Sequence, residues 1–565
     1  MLLRCVISNT LKKNINNARI KSISGKQQRQ LFVLSTRKTI AAAPTTLASS
    51  KFQFIKPLST TSSATTSTSN YTPELEQFTK SFLEEVKDVP HATDPAQSSK
   101  ILRQLCKTEL LKFTDMRDNP EKFFMAHRLL STVGLGGFGI RFTVQFNLFA
   151  GSLVGLAGEE QLKMLDEIQK EGKLGCFLLT EMQAGVLSGL IVETTVDWDS
   201  NNQEFVLNTP SDKAAKNWIS QGFVADCGVI IANLRIDGES YGPHAFYMDL
   251  RDGNKNLLPG IRIEDMGVKT IANDLDNARV WFDNVKLPKN ALLNKFADIN
   301  DNNEYVQVTD ERMRIEVIGQ RLLTGRIAIA EAALFSARVL HMKTEEYATQ
   351  KICNGLTGET TLSNMPQLKN VLNNSYAKID KMISFTAAVE NDLNDCLRND
   401  RIPDDELVEK IAVCKIKCIE VAIECAHALQ LEVGSYALMH DTGFELFDML
   451  LCCKFAEGDS RILQQKLTRD RLNRVRKDGV FSTLTEFSKE SWSSLQLANK
   501  MKSAGRDLDK IAKALDDNWK EVYDLADQVC ERHIQNTPGS AFLEPCVNRL
   551  KGADFDFDKE WKDKI

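Results

Sequence analysis

Glu457 is a carboxylate whose neighbours would suit it to take a proton. It follows Leu450, Leu451, Cys452, Cys453 and Phe455, an apolar run suited to stripping water from a carboxylate and raising its basicity toward neutral pH. Gly458 next to it removes a side chain where a reactant would approach. The residue types alone leave a second role open. A Glu ahead of Gly458-Asp459-Ser460 is ordinarily a charge at a helix end, and Asp459 or Ser460 can cap a helix over residues 462–467. A different chemistry is suggested by Gly134-Leu135-Gly136-Gly137-Phe138-Gly139, a literal G-x-G-x-x-G with Glu159 downstream. That fingerprint binds a dinucleotide only when it follows a strand and opens a helix in a βαβ unit. Residues 123–130 read as helix and no βαβ alternation follows, so the expectation is a glycine-rich interhelical loop. The thirteen cysteines contain no C-x-x-C pair. Cys414, Cys418 and Cys425 recur at helical spacing beside Ile and Val, which makes them small core residues; no metal site is expected.

The elements that must position Glu457 are written in blocks. The 565 residues carry a formal net charge of −5, yet no Asp or Glu precedes Glu74, and that stretch holds eleven Lys and Arg residues from Arg4 to Lys56. A basic, acid-free, Ser- and Thr-rich leader has the composition of a mitochondrial transit peptide, so residues 1–73 are expected to be leader and linker and the mitochondrial matrix the location, with the peroxisome as alternative. A disordered basic tail has the same composition. The acidic excess after the leader makes nucleic acid a poor partner. The sequence also lacks a run of about 20 apolar residues of the kind that spans a membrane. Phe78, Phe82 and Val86 mark a helix face in an N-terminal helical domain, 74–173. Short β-prone runs at 205–207, 229–231, 245–248 and 280–282, separated by Gly, Pro, Asn and Asp, mark a β domain, 174–300. Leu407, Ile411, Cys414 and Cys418 form one face of a helical bundle, 301–478, and a helical extension fills 479–565. The fold class is therefore α+β, mainly α, because segregated blocks exclude a doubly wound sheet.

Several blocks in this order resemble the acyl-CoA oxidase branch of the acyl-CoA dehydrogenase superfamily. They are Gly175 to Glu181, Glu193-Thr194-Thr195, Glu204 to Asp212, Asn217-Trp218-Ile219-Ser220-Gln221-Gly222, Asp265-Met266-Gly267, Phe282 to Pro288 and Phe455-Ala456-Glu457-Gly458, within about residues 74–475. The resemblance implies an N-terminal helical domain, a middle β-barrel-like domain and a C-terminal bundle, with FAD extended between the last two. It implies α,β-dehydrogenation of an acyl-CoA in fatty-acid β-oxidation, with Glu457 as base and Gly458 beside the thioester. Thr180 and Ser220 would hydrogen-bond the flavin ring and Trp218 would pack on it. Gly185, Ser188, Lys351 and Gly434 would serve the rest of FAD. The sequence departs from the pattern at Val186, where a Ser is usual, with Ser188 the substitute; at Lys351, where an Arg is usual; and around Gly434, where a Gly-Gly-x-Gly is reduced. Lys351 keeps the charge but loses the bidentate fork. The electron acceptor stays open: oxygen by the block sequence, an electron-transferring flavoprotein by Ser220 and the leader. A homodimer or homotetramer is implied. A catalytically silent assembly or scaffold protein is the alternative that the altered FAD contacts raise.

Overall fold

Pro at the first position opens helix after helix in the N-terminal block, where its missing N–H costs nothing. Pro73–Glu85 (α1) buries Phe78 and Phe82, and Val86 is buried just beyond its end. Pro95–Thr108 (α2) is capped by Asp94, whose Oδ1 accepts from the N–H groups of Ala96 and Gln97 at 2.8 and 2.9 Å. Asp115–Asp118 (α3) leads to Pro120–Val133 (α4). Gly137–Thr143 (α5) runs through a π-helical stretch, Val144–Ala150, into Gly151–Leu156 (α6); Glu159–Leu162 (α7) and Met164–Glu171 (α8) complete the block. The computed structural model describes residues 73–540 apart from 135, 186–190, 308–310, 357, 441 and 506; the expected leader and linker and the whole of 541–565 lie outside them.

The glycine-rich segment spans the junction of α4 and α5, with Gly136 capping α5 and Gly137 to Gly139 opening that helix. Gly134, at φ +137°, ends α4, and a Cβ on Gly137 would lie 2.6 Å from Asp274 Oδ1 and 2.6 Å from the Leu275 Cβ. The Gly137 N–H donates to Asp274 Oδ1 at 2.9 Å. Close backbone approach to the 272–276 loop explains the glycine there, and the element directly before it is helix α4 rather than a strand.

Of the strands that follow among the described residues, these build two sheets: Gly175–Leu178 (β1), Thr195–Asp199 (β2), Glu204–Asn208 (β3), Lys216–Ser220 (β4), Cys227–Ile236 (β5), Glu239–Asp249 (β6), Ile261–Asp265 (β7), Asn277–Phe282 (β8) and Val285–Pro288 (β9). In the larger sheet β1 and β2 lie end to end along one edge of β5, both parallel to it, with Gly175 opposite Cys227 and Thr195 opposite Asn233. β6 covers the other edge of β5, and β3 and β9 extend the sheet beyond β2. β4, β8 and β7 make a second, antiparallel sheet. Phe205, Leu207, Ile230, Phe246, Val280 and Phe282 are buried between them.

The two sheets meet at a buried ion pair. Lys216 Nζ lies 3.0 Å from Glu181 Oε1, both side chains fully buried, and it also donates to the carbonyls of Leu179 and Ile231. The Glu181 carboxylate accepts from the N–H groups of Glu193 and Thr194. Removing one partner of such a pair strands the other charge without water. Glu181→Ala is therefore expected to cost about 3–5 kcal/mol of stability, read as a lower urea midpoint of unfolding.

The bundle begins with Glu311–Gln350 (α9) and Pro366–Arg398 (α10). Asp405–Val413 (α11) passes through a π-helical turn, Cys414–Cys418, into Ile419–Val433 (α12). Leu446–Cys453 (α13) and Ser460–Asp478 (α14) follow. Leu407, Ile411, Cys414 and Cys418 are buried, as their spacing requires. Arg128 of α4 is buried against Glu331 of α9 and Glu390 of α10, its Nη1 2.6 Å from Glu390 Oε2. Val480–Thr485 (α15), Lys489–Met501 (α16), Leu508–Asp517 (α17) and Trp519–Asn536 (α18) form the extension. His533 of α18 and Arg474 of α14 both meet the buried Glu409 of α11, His533 Nε2 at 3.0 Å. No helix among the described residues is long and apolar enough to cross a membrane.

Candidate active site

The turn from α13 to α14 carries Glu457 at φ +56° and Gly458 at φ +93°. Positive φ is free for glycine but costs a glutamate on the order of 1 kcal/mol or more, so the surroundings must impose it. Two cations do. Arg326 of α9 donates from Nε to the Glu457 carbonyl at 3.1 Å. Lys415, buried in the π-helical turn, donates from Nζ to the carbonyls of Lys454 (2.6 Å) and Gly458 (2.7 Å) and to Ser460 Oγ (3.0 Å). Asp459 caps α14, its Oδ1 accepting from the Arg461 N–H at 2.7 Å, so the capping role and the exposed turn coexist.

The Glu457 carboxylate occupies a notch left by Gly325 in α9. A Cβ at position 325 would fall 2.4 Å from its Cδ and 2.5 and 2.7 Å from its oxygens. Oε2 is buried and has no hydrogen-bond partner. Burial raises the carboxyl pKa to about 7 against the opposing pull of Arg326 and Lys415. The same burial lowers Lys415 to about 7 and Arg326 to about 10. Of the apolar run ahead of Glu457, Leu450 and Cys453 are buried, while Phe455 is 63% exposed and Leu451 also faces outward. Gly325 of α9 and Lys415 of the π-helical turn close in on the carboxylate from the other elements. Gly458 is surface-exposed, and an added Cβ would meet only Arg326 Nη2 at 3.5 Å, so its φ rather than space demands glycine.

On the β side, three expected residues come together. Thr180, just past β1, accepts from the Asn217 N–H through its carbonyl at 2.8 Å and leaves its side chain exposed. A bulge in the β4–β8 pairing falls between Lys216 and Ile219, where Trp218 sits at φ +56° with 56% of its surface exposed. A bulge re-aims a side chain, and an indole held outward in the left-handed region is a conformation that needs a reason. Ser220 Oγ accepts from Asn277 Nδ2 at 3.1 Å. Beside them, Gln183 Nε2 and Asn217 Oδ1 are buried without partners.

The remaining expected contacts lie elsewhere. Gly185 is exposed, and Ser188 lies outside the described residues. Lys351 is exposed at the end of α9, and Gly434, at φ +64°, ends α12. Tyr347 stacks on Tyr436 with ring centroids 3.5 Å apart, which draws the Lys351 and Gly434 ends together. At 1.5 Å per residue, Tyr347 is about 33 Å along α9 from Gly325. Gly325, Arg326 and Lys415 escape sequence reasoning. The one signal for them is a Thr-Gly-Arg in mid-helix and a lysine inside an apolar helix face.

Helices flanking a six-stranded and a three-stranded sheet, with Glu457 on the bundle and an outward-turned indole on the β layer, make a fold found among solved acyl-CoA oxidases. The structure matches acyl-CoA oxidase 2 of Caenorhabditis elegans, solved with FAD, ascaroside-CoA and ATP, with TM-score 0.67 at 19% identity over 86% of this chain and 78% of that one. It matches acyl-CoA oxidase 1 of Yarrowia lipolytica with TM-score 0.65, also at 19% identity, over 81% and 74%. In sequence it is similar to the peroxisomal acyl-coenzyme A oxidase 3 of Arabidopsis thaliana, 34% identical over 226 residues, which is 39% of this chain and 33% of that protein. The acyl-coenzyme A oxidase-like protein of Mus musculus is 33% identical over 198 residues, 34% of this chain and 31% of that protein. The matched stretch thus spans about a third of the length of these curated relatives. No family model matches the chain. The resemblance to the acyl-CoA oxidase and dehydrogenase superfamily is carried by sequence and fold alike.

Proposed function

We propose that this chain is an FAD-dependent enzyme of fatty-acid β-oxidation that converts an acyl-CoA to the trans-2-enoyl-CoA, with Glu457 as the base. The observation that carries the reading is the Glu457 carboxylate: buried, lacking a partner at Oε2, raised to about 7, and held at positive φ by groups that bond only its backbone and turn. A carboxylate so held is matched to removing a weakly acidic α-proton near neutral pH. FAD, when bound, supplies the hydride acceptor for the β-carbon. Thr180, Trp218 and Ser220 fit its ring: two side chains are exposed on one edge, with the unpartnered Gln183 and Asn217 beside them. Gly185, Lys351 and Gly434 would serve its distal part, with Lys351 giving a single point charge to phosphate. Gly458 leaves the surface beside the base open to the thioester. The domain limits read from sequence, 74–173, 174–300 and 301–478 with a helical extension, are proposed with this function.

The oxidase relatives support oxygen over an electron-transferring flavoprotein as acceptor, and the implied assembly is a homodimer or homotetramer. The relatives named as peroxisomal support the peroxisome as location; they lend no support to the mitochondrial matrix or to a transit peptide. The test is the flavin spectrum of the purified protein on adding palmitoyl-CoA without air, then oxygen. Bleaching that recovers with peroxide is expected. Protein that is colourless and cannot be loaded with FAD would sink the reading in favour of a scaffold.

The base works only when ionised, so kcat/KM for acyl-CoA is expected to fall about tenfold per pH unit below 7. A profile flat down to pH 5 would contradict the raised basicity of Glu457.

A further inference from the structure

The Glu457 turn is held from beneath by a charge that no part of the dehydrogenation chemistry requires. Lys415 leaves the buried face of the α11–α12 helix at its π-helical turn, where one extra residue per turn shifts the side-chain register. Its ammonium finds three acceptors, and these bracket the base: the carbonyl three residues before Glu457, the carbonyl one residue after it, and the hydroxyl of Ser460, the first residue of α14. Three acceptors match the three protons of an ammonium, so the group is satisfied although buried. The same turn is closed by the Ser460 N–H to the Lys454 carbonyl at 3.0 Å. A buried lysine is costly to hold, and satisfying a tight turn needs only neutral donors. Its placement under this one turn therefore points to a role in the conformation that the turn imposes.

We propose that Lys415 is a positioning residue for the base: it clamps the carbonyls of Lys454 and Gly458 so that Glu457 stays at positive φ with its carboxylate in the Gly325 notch. This rests on reading Glu457 as the base. Lys415 also acts through charge. The ionisable groups that bear on it are Asp459 and Glu457 on the turn, Cys453 at the end of α13 and Arg326 on α9. Its positive charge favours the ionised form of Glu457, so its loss makes Glu457 harder to ionise.

The test compares wild type with Lys415→Met by two measurements that need no turnover. One is hydrogen exchange across residues 454–460. The other is the infrared titration of the Glu457 carboxyl, identified as the band that Glu457→Gln abolishes. In Lys415→Met the turn is expected to exchange about tenfold faster or more, with the β strands unchanged, and the carboxyl to titrate at higher pH. kcat is expected to fall on the order of tenfold with KM for palmitoyl-CoA little moved. Lys415→Gln, which keeps two N–H donors without the charge, serves if the Met variant does not fold: the titration moves up while exchange stays near that of wild type. A folded variant with unchanged exchange and an unmoved titration would overturn the clamp. A turn that loosens in a protein whose wild type never bleaches with any acyl-CoA would uphold the clamp and overturn Glu457 as base.

Discussion

Glu457→Gln is expected to slow flavin bleaching by palmitoyl-CoA by about 10²- to 10⁴-fold, the range general-base removal covers, while leaving the protein folded and yellow. The amide has the shape of the carboxyl and fits the same notch against Gly325. Oε2 has no hydrogen-bond partner, so replacing an oxygen there breaks no bond in the structure. Arg326 and Lys415 bond the backbone carbonyls of the turn rather than the carboxylate, so their contacts survive. The loss therefore falls on chemistry rather than on stability. Anaerobic stopped-flow absorbance measures it, and a bleaching rate within threefold of wild type would remove Glu457 from the mechanism.

The second large effect is expected from a single methyl group. Gly325→Ala places a Cβ within 2.4–2.7 Å of three atoms of the Glu457 carboxyl group. Those atoms are the far end of a flexible side chain, so the collision is relieved by moving the carboxylate. In the interior of a helix, Ala is favoured over Gly by about 1 kcal/mol, so stability is expected to hold or rise slightly. Catalysis responds differently, because a base displaced by about 1 Å loses on the order of 10²-fold. The expected signature is a Tm equal to or above that of wild type with kcat down about 10²-fold. Equal activity would mean that the carboxylate does not work from this notch.

The block order was legible because each block has its own periodicity. Phe78 and Phe82 repeat at helical spacing, residues 205–207 and 229–231 are β-branched or aromatic runs, and Leu407 and Ile411 open a buried face; each falls in an element of the expected type. Trp218 and Glu457 were legible only through the resemblance to a known family. Their distinguishing feature, a positive φ, leaves no mark in composition. The sequence argument for a dry Glu457 rested on neighbours in the chain and could not include Gly325 and Lys415, which lie against the turn only in space. A glycine in a helix reads as a weak point and a lysine in an apolar face as an edge residue, until the turn they serve is brought against them from far along the chain, 39 residues or more for Lys415.

The buried Glu409 ties the last described helix to the bundle, and this bears on how such a protein can be shortened. Its carboxylate meets Arg474 on α14 and His533 and Arg532 on α18. A chain ending after Asp478 would retain one of those three partners and would bare Leu467 and Leu472, which share a cluster with Val522, Leu525 and Val529. Helices α15 to α18 are thus not a removable appendage. Evolutionary trimming from this end would have to rebuild the wall of the bundle at the same step, since the first of these helices to be lost is the one that completes it.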